Sequence, residues 1–216
     1  MQQEKETKQR LMECARAEFM EKGFLKASLR TICKEAGVTT GALYFFFKDK
    51  DALFCSLVGD ILSAIEQTLA AHFAKEQEEL KDPSHEVLPA SDKEDDFAQD
   101  IEASLAVIEL LYAHRTEALL LLTRAQGSSL EHVVDEIIGV THHHYRALAD
   151  LTTKRLGLPR LEDSFIHWVS HMQIDTFVYM ITHIEEKEEA KRYIRQATHY
   201  MVNGWYGMFR SLIEQK

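Results

Sequence analysis

A short run of hydroxyl, glycine and aromatic residues is the part of this sequence whose types and spacing could support specific chemistry. Residues 28–50 read SLRTICKEAGVTTGALYFFFKDK. Ser28 suits the start of a helix, because its hydroxyl can accept a backbone N–H of the first turn. Gly37 can adopt the positive φ of a tight turn, and Thr39 or Thr40 can cap a second helix. The pattern predicts a helix-turn-helix, whose second helix enters the DNA major groove.

The chemistry expected of this second helix is contact with DNA. Leu43 and Phe47 lie four residues apart and would anchor the helix inward. Gly41 would let the backbone approach DNA closely, and the nearby hydroxyl groups can bind phosphates or base edges. The predicted DNA contacts are Arg30, Thr39, Thr40, Gly41, Tyr44, Phe45, Lys48 and Lys50.

Residues from about Thr7 to Val58 resemble the amino-terminal domain of the TetR/AcrR transcriptional regulators. The resemblance rests on AEFMEKGF at the end of the first helix, AGVTTGALYFFF in the turn and recognition helix, and KDKDALF at the start of the next helix. Phe46 stands where the family often has a phosphate-binding His, so it is expected to pack instead. Ala42 lacks the hydroxyl that many members carry.

The resemblance implies an all-α fold with an amino-terminal three-helix helix-turn-helix DNA-binding domain and a carboxy-terminal helical ligand-binding and dimerisation domain. We place the first domain at residues 1–49 and the second at residues 50–216. Apolar residues follow helical spacing along the whole chain, which agrees with this class. Pro83, Pro89 and Pro159 fall at predicted breaks between helices.

The charge distribution at first conflicts with DNA binding, which needs cations against phosphate. The chain has a formal net charge of -10. Residues 1–55 hold ten Lys or Arg and eight Asp or Glu, about +2, which leaves -12 for the remainder. Because +2 is a weak basic footprint, affinity should depend on a dimer that presents two DNA-binding domains.

Residues 76–100 interrupt the helical pattern with proline, serine and a dense run of acids. We predict an acidic mobile loop here, because runs of charge usually remain solvated. A regulatory acidic tail is the alternative.

Two helices, at about 161–184 and 187–213, are predicted to form the dimer interface. The first is apolar around most of its circumference, which indicates burial on both sides. Together they would over-supply a single core, which favours a four-helix bundle between two copies; a hairpin within one chain is the alternative. The family resemblance implies the same pair. The predicted interface residues are Phe177, Ile181, Met201, Trp205, Met208 and Phe209.

A ligand pocket among the central helices would be largely apolar with a few orienting polar groups. The candidates are Tyr112, Arg115, Arg124, His143, Trp168, His171, Asp175 and Tyr179. Core or surface positions explain each of them equally well. The resemblance implies that a ligand would move the helix beginning at Lys50 and so change the separation of the two DNA-binding domains.

Histidine is abundant, with 11 residues, but no metal or other cofactor is predicted. His142, His143 and His144 are consecutive and cannot all face one point on a helix. His167 and His171, four apart, could share a metal, yet no HExxH arrangement or Cys partner accompanies them. Cys14, Cys33 and Cys55 lack CxxC spacing and are expected to be small buried hydrophobic residues.

The favoured interpretation is a dimeric, sequence-specific transcriptional repressor released from a palindromic operator by a small hydrophobic ligand. Its expected partners are double-stranded DNA, a second copy of the chain and an unknown small-molecule effector. No catalytic motif indicates an enzyme, and no secretory signal or membrane span is evident, so a cytoplasmic location is predicted. The alternative is a DNA-binding protein of the same fold that is controlled by protein partners without a small-molecule inducer.

Overall fold

The computed structural model describes residues 2–82, 87–88 and 98–216. Over these ranges the chain forms nine helices and no strand, which confirms the predicted all-α fold. The helices are α1 (Gln2–Lys26), α2 (Leu29–Glu35), α3 (Thr40–Phe46), α4 (Lys50–Lys81), α5 (Ala98–Ala113), α6 (Arg115–Thr123), α7 (Val133–Leu156), α8 (Asp163–His183) and α9 (Lys187–Glu214).

The helices group into two compact units that differ from the predicted domains. The first unit contains residues 1–64 and 113–134, and the second contains residues 65–112 and 135–216. The first is therefore larger than the predicted 1–49, because α6 and the segment after it pack against α1. Here the backbone N–H of Phe24 donates to the carbonyl of Arg124 at 2.9 Å.

Three phenylalanines form the centre of the first unit. The ring of Phe19 stacks on that of Phe24 with centroids 5.9 Å apart. Phe54 of α4 contacts both rings edge to face, at 5.2 and 5.3 Å. Phe19 and Phe54 are completely buried and Phe24 nearly so. Aromatic pairs in these arrangements add roughly 0.5–1.5 kcal/mol each beyond the area they bury.

Lys50, the first residue of α4, stabilises the end of α1. Gly23 interrupts α1 with φ 70° and ψ 164°, at the position where the sequence predicts the helix to end. The last carbonyls beyond it need partners from outside the helix. The ammonium of Lys50 donates to the carbonyls of Phe24, Leu25 and Ala27 at 2.8, 3.3 and 3.3 Å, and lies 4.5 Å from the centre of the Phe24 ring.

A buried carboxylate, that of Glu18, joins α1 to the start of α2. One of its oxygens accepts the backbone N–H of Ser28 at 3.0 Å, and both oxygens accept from the ammonium of Lys22 at 2.9 Å. Burial of Glu18 opposes its ionisation, but the hydrogen bonds from Lys22 and Ser28 outweigh it, so the pKa of Glu18 lies below its ordinary value. Glu18 is therefore a charged residue with a structural role.

The second unit packs α5 against α8 and α9. The hydroxyl of Tyr112 donates to the carbonyl of Ile184 at 2.7 Å. Lys187 and Lys191 of α9 both contact Glu109, at 2.8 and 2.6 Å, and hold the pKa of that carboxyl at about 2. The completely buried apolar residues of this unit are Ile108, Ala149, Ile166, Met180, Ile181, Ala190, Ile194 and Phe209.

The prediction of a loop over residues 76–100 is wrong at both ends. Helix α4 continues to Lys81 and α5 begins at Ala98. The residues of KEQEELK are good helix formers, and Lys81 pairs with Glu78 at 3.2 Å within the last turn. Pro83, Pro89 and the acidic run at 93–96 lie outside the described residues.

Ser129 could cap a helix by residue type, but α7 begins four residues later, at Val133. The backbone N–H and hydroxyl of Ser129 instead donate to the carboxylate of Asp51 at 2.8 and 2.7 Å. Helix α7 ends at Leu156, where Gly157 follows with φ 64°.

By length and composition alone, α4 is apolar enough to cross a membrane. The same test is passed by a core helix of a soluble protein. In the first unit Leu53, Phe54 and Val58 of α4 are completely buried. This burial agrees with a core helix.

We expect Lys50→Met to destabilise the first unit by about 1–3 kcal/mol, because three carbonyls lose a charged donor. Thermal unfolding followed by circular dichroism should give a lower Tm, by about 2–4 °C per kcal/mol. Hydrogen exchange should quicken at residues 24–32. Lys48→Met is the matched control, since Lys48 is exposed two residues away. Equal stability of the two variants would contradict the anchoring role of Lys50.

We expect Glu18→Gln to lower stability at pH 7 by about 1–3 kcal/mol, because the neutral amide is a weaker acceptor for Lys22 and Ser28. The pKa of Glu18 is lowered in the folded state, so its contribution is present above about pH 4.3 and is lost as the pH falls through the folded pKa. The Tm difference from the unmodified chain should therefore shrink in acid. Glu21→Gln, on the exposed side of α1, should show neither effect.

Candidate functional site

The turn between α2 and α3 has the caps that the sequence predicts. The hydroxyl of Ser28 accepts the backbone N–H of Thr31 at 3.4 Å. Gly37 has φ 66°, and no atom lies within 4 Å of a Cβ built on it, so its backbone conformation is what favours glycine there. Of the two candidate caps for α3, Thr39 is the one used, since its hydroxyl accepts the N–H of Ala42 at 3.2 Å.

Helix α3 is buried along one side only. Leu43 and Phe47 are 0% and 4% exposed, as their i, i+4 spacing predicts. Tyr44 and Phe45 are 56% and 72% exposed. Thr39, Thr40 and Gly41 are also exposed. The first turn of α3 and two large aromatic rings therefore face outward.

Gly41 occupies a position where the chain itself does not need glycine. Its φ is not positive, and a Cβ built on it would meet only the hydroxyl oxygen of Thr39, at an ordinary 3.7 Å. An alanine should fit this helix without strain. The described part of the chain therefore gives no conformational or steric reason for glycine at this position.

The three predicted basic contacts differ in what their side chains do. Arg30 on α2 and Lys48 after α3 are exposed. Lys50 instead directs its three N–H groups at the carbonyls of Phe24, Leu25 and Ala27. The ammonium therefore has no donor left for a phosphate, which argues against the predicted role of Lys50 as a direct contact. Sequence reasoning missed this because the carbonyls lie more than twenty residues earlier.

A groove of about 490 Å³ lies between the start of α1 and α3. Its lining residues are Gln3, Glu4, Thr7, Ala42, Phe45 and Phe46. Phe46 is half-buried and contacts Phe45 edge to face at 5.0 Å, which agrees with the packing role expected of it. The groove residues of α1 are not among the predicted site residues. Helical periodicity does not indicate which residues of another helix lie beside α3.

The predicted ligand residues differ in exposure and in the unit to which they belong. Trp168 and Tyr179 are 57% and 52% exposed, and His143 and Asp175 are exposed as well. Tyr112 is half-buried, but its hydroxyl is bonded to the carbonyl of Ile184. The other three predicted ligand residues are Arg115, Arg124 and His171. Arg115 and Arg124 belong to the first unit, and His171 lies with its ring 4.5 Å from that of His167.

Two of the predicted interface residues are unavailable to a partner. Ile181 and Phe209 are 0% exposed within the second unit, because they supply its own core. Phe177, Met201 and Met208 are partly exposed. Trp205 is also partly exposed and contacts Phe209 edge to face at 5.2 Å. Their exposed neighbours on α8 and α9 are Trp168, Tyr179, Tyr200 and Gly204.

The three cysteines are protonated thiols at neutral pH. Burial raises the pKa of Cys14, Cys33 and Cys55 above its ordinary value. Cys33 is 3% exposed, and the other two are half-buried. The expectation of a small buried residue is therefore confirmed for Cys33, whereas Cys14 and Cys55 are only partly buried.

A cluster of potential metal-binding side chains in the second unit is not predicted from the sequence. His72, Glu76 and Asp100 place one potential metal-binding atom each within 4.8 Å of one another. The signal available in the sequence was the i, i+4 spacing of His72 and Glu76. It was overlooked because Glu76 and Asp100 were assigned to a loop.

Residues 11–57 match the family model for bacterial regulatory proteins of the tetR family. The chain is 32% identical over 85 residues to the HTH-type transcriptional regulator YdgC of Bacillus subtilis, which covers 39% of this chain and 44% of that protein. It is 43% identical over 56 residues to the regulator AcrR of Shigella flexneri, and 41% identical over 54 residues to the repressor BepR of Brucella suis. These two matches cover 26% and 25% of this chain, and 26% of each relative.

Solved structures share the fold over almost the whole chain. A putative TetR-family transcriptional regulator from Syntrophomonas wolfei has a TM-score of 0.53 at 16% identity, over 92% of this chain and 95% of that one. A TetR regulator from Streptomyces fradiae, TylP, has a TM-score of 0.50 at 20% identity, over 91% and 85% of the two chains. At these identities the likeness concerns the fold alone.

The relatives that match the amino-terminal part of the chain are named as transcriptional regulators, which agrees with the predicted helix-turn-helix domain. The helix-turn-helix geometry, the family model and the shared all-α fold agree with one another. The amino-terminal domain of the chain therefore matches the tetR family of bacterial regulatory proteins, and the whole chain shares its fold with solved TetR-family regulators.

Proposed function

We propose that this chain acts as a homodimer that binds a palindromic DNA operator and represses transcription until a small hydrophobic ligand releases it. The outward face of α3 is the observation that carries the DNA-binding part. Its hydroxyl groups and its glycine lie at the amino-terminal end of a recognition helix, the end that meets base edges in this motif, and two exposed aromatic rings follow in the last turn.

The proposed contacts divide into two kinds. Thr40, Gly41 and Phe45 would face base edges, where a phenylalanine ring can contact a thymine methyl group. The hydroxyl groups of Thr39 and Tyr44 would bind phosphates, which position the protein without reading sequence. Arg30 and Lys48 add positive charge beside them. Lys50 would act indirectly, by holding the corner between α1 and α2.

The exposed aromatic face of α8 and α9 supports dimerisation through these helices. Trp168 and Tyr179 lie eleven residues apart, three helical turns, on the same side of α8. On α9, Tyr200 is 74% exposed, and a Cβ at Gly204 would meet no atom within 4 Å. A large apolar surface of this kind commonly marks a protein–protein interface. Two-fold symmetry would then match the palindrome.

Release by a ligand, repression and a cytoplasmic location are further parts of the proposal. The relative BepR is named a repressor, which supports the direction of control. Helix α4 starts at Lys50, beside the α1 end that Lys50 anchors, and continues to Lys81. We therefore propose that an effector bound in the second unit changes operator affinity through α4.

Selection of bound sequences from a random duplex library tests DNA recognition. A palindromic winner is expected, and fluorescence anisotropy on that duplex, with and without a panel of hydrophobic metabolites, then tests release. The absence of any enriched sequence would contradict the proposal. A winner that no compound releases would favour control by protein partners.

We expect Gly41→Ala to keep or raise stability and yet to weaken operator binding at least tenfold. Alanine favours a helix over glycine by about 1 kcal/mol, while its methyl group would obstruct close approach to DNA. Thermal unfolding and anisotropy measure the two effects. Gly59→Ala on α4 is the matched control, because a Cβ there meets no atom within 4 Å and the residue lies outside the proposed DNA contacts. Operator affinity unchanged by Gly41→Ala would argue against backbone approach at this residue.

We expect Gly204→Arg to shift the dimer toward monomer, because a long charged side chain would be placed at the proposed interface. Sedimentation velocity should show the change over a concentration series, while circular dichroism checks that the helices persist. Gly139→Arg is the matched control on α7, where glycine is likewise exposed and unobstructed. A Gly204→Arg variant as dimeric as the control would place the interface elsewhere.

A further inference from the structure

Three side chains with metal-binding atoms meet in the second unit. His72 and Glu76 lie one turn apart on α4, and Asp100 lies in the first turn of α5. One ring nitrogen and one oxygen from each carboxylate are all within 4.8 Å of one another. The Nε2 atom of His72 is 3.4 Å from Oε2 of Glu76. All three residues are half-buried, so water and ions can reach them.

A fourth residue, His144 of α7, contacts the same carboxylate oxygen of Glu76 as His72 does. It is only 3% exposed, and its ring stacks on Phe73 with centroids 4.0 Å apart and planes 10° apart. Its Nε2 atom lies 2.7 Å from Oε2 of Glu76, whereas its Nδ1 atom has no hydrogen-bond partner among the described residues. The proton of neutral His144 therefore belongs on Nε2, where it donates to Glu76.

The cluster concentrates negative charge. Glu76 and Asp100 each place one carboxylate oxygen in it. Among the described residues, the ion-pair partners of Glu76 are His72 and His144, each of which is a cation only when it is protonated. A bound cation would relieve this crowding.

We propose that His72, Glu76 and Asp100 bind one divalent transition-metal ion, with His144 as the hydrogen-bond support of Glu76. Neutral imidazole and two carboxylates balance the charge of a divalent ion. Zn²⁺ takes such nitrogen and oxygen ligands at about 2.0–2.2 Å, and three protein ligands leave a position for water or an effector. Metal ligands in such sites are usually oriented by a hydrogen bond to a neighbouring side chain or backbone group. His144 makes this hydrogen bond to Glu76.

The choice of metal follows from the ligand atoms. An imidazole nitrogen favours Zn²⁺ over Mg²⁺, which prefers oxygen ligands and retains its waters. Mn²⁺ should bind with an affinity between the two, in line with the general order for divalent metals. This site is independent of DNA binding, so its test does not depend on the proposed function.

Isothermal titration of the full, chelator-treated chain with zinc sulfate tests the proposal. We expect one zinc per chain, weaker binding of manganese and no measurable binding of magnesium at the same concentrations. Asp100→Asn and His72→Gln should each weaken zinc binding at least tenfold, because each removes one ligand. His143→Gln is the matched control: it is exposed on α7 next to His144 and should bind zinc like the unmodified chain.

Cobalt(II) gives a second readout, because its visible absorption reports the coordinating atoms. The spectrum of the cobalt-loaded chain should change in Asp100→Asn, which keeps the shape of the side chain and should fold normally by circular dichroism. The proposal would be overturned by the absence of saturable zinc binding. It would equally be overturned if binding survived both ligand substitutions, or fell as much in His143→Gln, since zinc would then be held by surface histidines.

Discussion

The ammonium of Lys50 is the constraint on which the amino-terminal unit depends. It is placed at the start of α4 and closes three carbonyls at the end of α1, beyond the interruption at Gly23. At the same corner, the carboxylate of Glu18 of α1 accepts the backbone N–H of Ser28, the N-cap of α2. Two charged residues thus hold the α1–α2 corner, and α3 follows α2 through one short turn. The direction in which the recognition helix points is a consequence of these bonds.

This arrangement explains how a weakly basic unit can still present a reading surface. The three N–H groups of Lys50 are engaged with carbonyls of the protein, so under the proposed function Lys50 would position the helices and would not bind phosphate directly. The exposed groups that remain are short, as at Thr40 and Gly41, or flat, as at Tyr44 and Phe45. Such a surface depends on close fit to DNA more than on charge. A methyl group added at Gly41 would therefore disturb it directly.

The second unit has two features that a packed core does not need. One is the aromatic surface of α8 and α9, which includes Trp168 and Tyr200. The other is the cluster around Glu76, in which carboxylates crowd together between three helices at a cost in desolvation. Both features are accounted for if something binds there, a second copy of the chain in the first case and a cation in the second.

The sequence by itself determined the class, the helix-turn-helix and its caps, because these depend on local geometry. A hydroxyl three residues before an N–H, a glycine with positive φ and an i, i+4 apolar pair can each be read from neighbours, as Ser28, Gly37 and Leu43 illustrate. The end of a helix is harder to predict where the residues on both sides of it are good helix formers. The predicted loop over 76–100 is wrong at its ends for this reason.

Only the tertiary structure decided which side chains are available. Lys50 turned out to be bonded to carbonyls over twenty residues away, and Phe209 to be core where an interface was expected. The metal-binding atoms of His72 and Asp100 come together across 28 residues of chain, part of which lies outside the described residues. Such contacts follow from how helices pack, and periodicity within one helix carries no information about them.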